Sequence, residues 1–80
     1  MITAGTSARI LAALSEGPRA GLELMDSTGR SSGTLYRCLV RLQRAGYVES
    51  RWETAAEGRP ARRYHHLTAA GTAAHGHDGN

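Results

Sequence analysis

Leu35, Leu39 and Leu42 recur at i, i+4 and i+7 within the run Ser31–Gly46. No other pattern in the chain leaves so little freedom. That spacing lays the leucines along one side of an α-helix. Ser31 or Ser32 can cap its start, and Gly46 is the natural stop. Arg37, Arg41 and Arg44 repeat at the same spacing and form a basic stripe. Ser31, Ser32 and Thr34 occupy the first turn, where free backbone N–H groups and the positive end of the helix dipole attract phosphate. A helix that is apolar behind and basic in front suits a nucleic-acid groove. Arginines outside an amphipathic helix are as often merely solvated, so the segment that follows has to decide between the two.

That segment reads as a hairpin. Val48–Glu53 alternates and predicts a strand, and Arg62–Leu67 predicts a second. Between them, 54–61 holds Gly58 and Pro60 and predicts a loop. Val48 and Leu67 would pin the base of the hairpin to the core, and Arg59, Arg62 and Arg63 make its tip basic. Such a tip can reach the phosphate backbone or a minor groove, and narrow minor grooves favour Arg. Trp52 is expected to shield the hairpin, with packing on a partner as the alternative.

Upstream, residues 1–6 are expected to be flexible. Thr6 or Ser7 would cap a helix carrying Ile10, Leu11 and Leu14, and Gly17-Pro18 would end it. A second helix is expected from Gly21 to Ser27, with Leu22, Leu24 and Met25 as its apolar residues, before the turn Thr28-Gly29-Arg30. Helix, short turn and capped helix is the helix-turn-helix order, and a hairpin placed directly after it is a wing. The expected fold is therefore α+β: a winged helix-turn-helix of three helices followed by a two-stranded β-hairpin wing, over residues 7–74. Thr68 would cap a last helical turn through Ala74. Residues 75–80, polar and rich in His and Gly, are expected to be disordered.

Composition narrows the function classes. Eighty residues suffice for one domain. The net charge is +3, and each of the ten basic residues is Arg. Arg forks onto phosphate and guanine as Lys does not, but coding bias toward Ala, Gly and Arg gives the same usage. The single cysteine, Cys38, permits no intrachain disulfide and reads as a small core filler rather than a redox sensor. No apolar run is long enough for a membrane span, and the N-terminus lacks a basic start followed by an apolar block, so the cytoplasm is the expected location. There is no Gly-rich phosphate loop, no carboxylate pair and no nucleophile spaced to a base, so neither catalysis nor a cofactor is expected. His75, His77 and Asp78 could ligate a metal only from an unsupported tail, and neighbouring His65 and His66 would point to opposite strand faces, so no metal site is expected. Both strand histidines read as surface residues.

The chain resembles the PadR family of bacterial winged-helix transcriptional regulators. The resemblance rests on Ile10–Pro18, Gly21, Ser32-Gly33-Thr34-Leu35-Tyr36, Leu39…Arg41-Leu42, Gly46-Tyr47-Val48-Glu49-Ser50, Gly58-Arg59-Pro60-Ala61-Arg62-Arg63-Tyr64 and Leu67-Thr68-Ala69-Ala70-Gly71, in order, over roughly residues 8–74. It implies that the helix from about Ser32 is a recognition helix. Ser32 and Thr34 would touch phosphate or base edges, Tyr36 the DNA backbone, and Arg37 and Arg41 the major groove. Arg59, Arg62 and Arg63 of the wing would take phosphates or the minor groove. Such regulators usually dimerise through a helical element after the Leu-Thr-x-x-Gly run. Here only a His/Gly tail follows, so a homodimer would need a different interface, and small-molecule sensing lacks its usual element. The expected function is that of a sequence-specific regulator of double-stranded DNA, with repression as the expected direction. The alternative is a winged-helix adaptor that binds protein without reading DNA.

Overall fold

The computed structural model describes residues 5–53, 58 and 61–78. Among these, the helix carrying the two stripes is α3 (Ser32–Arg44), the longest of the four. Ser31 caps it: its side chain accepts from the Thr34 N–H at 3.4 Å, and its carbonyl accepts from Leu35 N–H at 2.9 Å. Leu35, Leu39 and Leu42 are buried as the spacing requires. Gly46 turns the chain out of the helix at φ 83°, a left-handed conformation that glycine adopts without steric cost. Tyr47 N–H then closes the turn onto Leu42 carbonyl at 2.9 Å.

Three shorter helices complete the helical layer: the first two pack on α3, and the last packs on the first. The first, α1 (Thr6–Leu14), contributes Ile10, Leu11 and Leu14 to the core. Its cap is Gly5 rather than Thr6 or Ser7, so the cap makes no side-chain hydrogen bond. Burial of Ile10 and Leu11 fixes where the first turn falls, and glycine is an acceptable residue there. The second, α2 (Gly21–Thr28), is one residue longer than expected. Glu23 folds back so that its carboxylate accepts from Ala20 N–H at 2.8 Å. Of the apolar residues assigned to it, Leu24 is fully buried, Met25 packs at the core edge, and Leu22 is 72% exposed. Leu22 and Leu24 lie about 200° apart on a helix, so they cannot share a face. Thr28 takes a core position instead, its hydroxyl donating to the Leu24 carbonyl at 2.7 Å.

One element is unexpected and another is longer than expected. Arg19–Ala20 forms a short strand, β1, antiparallel to the second wing strand. With β2 (Val48–Glu53) and β3 (Arg62–Leu67) it makes a three-stranded sheet in the order β1-β3-β2. The hairpin register runs from Val48 opposite Leu67 to Glu53 opposite Arg62. The other is α4 (Ala69–Asp78), ten residues long, where one short turn and a disordered tail from His75 were expected. Its start is well fixed: Thr68 N–H donates to Tyr47 carbonyl at 3.1 Å, and Thr68 Oγ1 accepts from Gly71 N–H at 3.0 Å. Once a first turn is anchored, each further residue adds a hydrogen bond for little extra ordering, so even a His/Gly segment can follow. Among the described residues the fold is thus four helices on a three-stranded sheet, α+β as expected, with β1 added and the last helical turn extended into α4. Of residues 1–6, Gly5 and Thr6 are ordered as cap and helix, and the rest lie outside the described residues.

Candidate nucleic-acid interface

Burying the three leucines of α3 sends the opposite side outward. Arg37, Val40, Arg41 and Arg44 are exposed there, with Tyr36 beside them at 49% exposure. Ser31 and Ser32 are exposed at the N-terminal end, and Thr34 is half-buried. No acidic residue lies on α3. Among the described residues no carboxylate reaches Arg37, Arg41, Arg44 or Arg63; the ion pairs present are Glu16–Arg19 at 3.6 Å and Glu49–His66 at 3.3 Å. Arg41 and Arg44 also occupy the last turn, where positive charge suits the helix dipole. The Tyr36 hydroxyl lies against the start of α2, near enough that a Cβ on Gly21 would sit 3.5 Å from it. Cys38, on the inner flank, is partly buried and packs against the core.

The wing carries its arginines on two faces. Residues two apart share a face of a strand, and registered partners share it across the ladder. Val48, Ser50 and Trp52 of β2 therefore lie with Leu67, His65 and Arg63 of β3 on the side toward the helices. Arg62 lies on the other side, its guanidinium 5.7 Å over the Tyr64 ring. So Arg63 continues the side of the wing that faces α3, and Arg62 does not. Arg59 lies outside the described residues. Trp52 does not shield the hairpin among the described residues: it is 68% exposed.

Helix and wing are joined by a polar chain that the sequence reading missed. Gln43 Nε2 donates to Ser50 Oγ at 2.7 Å, and Ser50 Oγ lies 2.7 Å from His65 Nδ1. His65 is 2% exposed, so its assignment as a surface histidine is corrected. With Ser50 accepting from Gln43, its own proton is available to donate to Nδ1 of a neutral ring. Burial, then the nearby charges of Arg63 and His66, hold the His65 pKa below its usual value. The sign follows from linkage. The unfolded chain protonates this histidine near pH 6.5, the folded chain only at lower pH, so stability is full above about 6.5 and falls as pH drops through the folded value. Urea midpoints at pH 7.5 and 5 should show that loss, and His65→Asn should show a smaller difference between the two.

Among the described residues no helix is long and apolar enough to cross a membrane, and no group of three His, Cys, Asp or Glu side chains could hold a metal.

The sequence matches the family model described as the transcriptional regulator PadR-like family over residues 10–76. No curated protein matches the chain. Among solved structures, a PadR family transcription regulator from Clostridium difficile superposes with a TM-score of 0.85 at 20% identity, covering 92% of this chain and 82% of that one. A PadR-like transcriptional regulator from Bacillus cereus gives 0.78 at 27% identity, covering 89% and 74%. PadR of Bacillus subtilis, solved in complex with operator DNA, gives 0.75 at 20% identity, covering 90% of this chain and 44% of that one.

Proposed function

The chain belongs to the PadR-like family of transcriptional regulators, and from that premise we propose that it binds double-stranded DNA in a sequence-specific manner, as a repressor. In this reading α3 enters the major groove with Arg37 and Arg41 on base edges, while Ser31, Ser32, Thr34 and Tyr36 hold its N-terminal end to phosphates. The wing's Arg59, Arg62 and Arg63 take phosphates or the minor groove. The observation that carries it is the outward face of α3: arginines with no described carboxylate to neutralise them, on a helix whose opposite side is fully committed to the core. PadR of Bacillus subtilis, solved in complex with operator DNA, shares this fold, which supports duplex DNA as the ligand class. Repression needs only occupancy of a promoter, so it requires no further surface.

Wing and helix should fail differently. Arg62→Ala or Arg63→Ala should weaken binding to all duplexes alike and lower the slope of log affinity against log salt by about one, the signature of a lost phosphate contact. Fluorescence anisotropy with matched and scrambled duplexes at several salt concentrations reads both quantities. Unchanged affinity and slope in both variants would remove the wing from the interface. If the chain ignores DNA even at low salt while keeping its fold, the adaptor reading takes its place.

A further inference from the structure

Val40 is the odd side chain on the face that α3 presents. It is 43% exposed, one turn after Arg37 and one turn before Arg44, with cationic neighbours on both sides. Nothing in the core needs it, since Leu35, Leu39 and Leu42 fill that role. A β-branched residue in the middle of a solvated helix face is also a poorer helix former than Ala, Arg or Gln. It stands on the face proposed to meet DNA, where an apolar group between arginines has a base-edge partner to cover.

We infer that Val40 is a specificity-determining residue that reads the C5-methyl group of a thymine. The inference rests on the reading of α3 as the helix in the major groove. A duplex offers phosphates, sugars and base edges to such a helix. On the base edges of the major groove, the thymine methyl is the apolar group that a short aliphatic side chain can cover. Valine is suited to the task because its χ1 is almost fixed in a helix, so its methyls are already placed before contact. Spacing adds a positional constraint. Three residues advance α3 by about 4.5 Å, close to one base step of about 3.4 Å. The thymine therefore sits next to the base pair that Arg37 reads, with the guanine preference expected of an arginine.

The test takes the full chain through selection on a random duplex library and then replaces each thymine of the enriched site, singly, by deoxyuridine. That exchange removes one methyl and leaves the hydrogen-bonding edge intact. Covering one methyl is worth about fourfold in affinity. Wild type should lose about fourfold at one thymine (or at its symmetric mate in a two-fold site), beside a guanine whose preference disappears in Arg37→Ala. Val40→Ala should bind thymine and deoxyuridine sites equally, with a melting temperature no lower than wild type. An enriched site in which no thymine shows this loss, or a loss that persists in Val40→Ala, overturns the assignment while leaving α3 as the reading helix. A library that enriches no sequence at all defeats the specific-readout proposal itself, and this one with it.

Discussion

Gly71→Ala is expected to cost about 3 kcal/mol or more, the upper range for forcing atoms into a filled space. A Cβ at Gly71 would run into the backbone carbonyl of Tyr47, and Leu67 Cδ2 would lie 3.2 Å from it. Neither neighbour can yield cheaply. That carbonyl already accepts from Thr68 N–H at 3.1 Å, and Tyr47 belongs to the turn that leads α3 into the wing. To make room, α4 must lift off, which breaks the Thr68 contacts and uncovers the apolar edge of α1. A domain of this length has roughly 4–12 kcal/mol in total. Melting should therefore fall by at least about 12 °C. Gly76→Ala is the matched control: it lies in the same helix, and a Cβ there meets nothing within 4 Å, so it should be neutral or slightly stabilising. Calorimetry or CD melts of the pair check both signs. Equal, small effects would mean that α4 does not press on the Tyr47 turn.

Arg37→Ala and Arg41→Ala are expected each to cost about 1–3 kcal/mol on the best duplex and to narrow the gap between that duplex and a scrambled one. Both side chains are exposed and without a described acidic neighbour, so their removal leaves no buried charge behind. The fold should survive. Arg41 lies in the last turn of α3, so its loss should also take a few tenths of a kcal/mol, to about 1, from helix stability through the dipole. Arg37 lies mid-helix and should show no such loss. Affinity and thermal stability measured on both variants separate the two contributions. A uniform loss on every sequence would reduce these arginines to phosphate anchors. Full retention of a protein partner with no DNA effect would instead favour the adaptor reading.

The reach of the sequence differs from element to element. α3 was legible because its capping serine, its leucine spacing and its glycine stop all agree, and agreement across levels is what fixes an element. The hairpin was legible for a similar reason, with Val48 and Leu67 at its base in register. β1 was not: two residues carry no alternation, and Arg19–Ala20 is a strand only because β3 lies alongside. α4 beyond Ala74 was unreadable from propensity, since its hold comes from Thr68 and the Tyr47 turn across the fold. Leu22 was misplaced for want of a wheel count that Leu24 already imposed. His65 could have been found. Once Leu67 is set on the core face, the residue two before it shares that face, and Ser50 sits opposite. The basic face could be read in advance because exposure of Arg37 and Arg41 follows from burial of Leu35, Leu39 and Leu42. The division of Arg62 and Arg63 between two wing faces needed only strict alternation. The bond from Gln43 to Ser50 needed the angle at which the wing meets α3, which no local pattern encodes.

Which side of the molecule meets DNA is tested most directly by an NMR titration of the labelled chain with a short duplex at low salt. Amide shifts and broadening should gather on the N-terminal turn and outer side of α3, from Ser31 to Arg44, and on the wing around Arg62 and Arg63. The α1 and α4 side should stay quiet. Changes concentrated on α1 and α4, or none at saturating duplex, would contradict the proposed binding side.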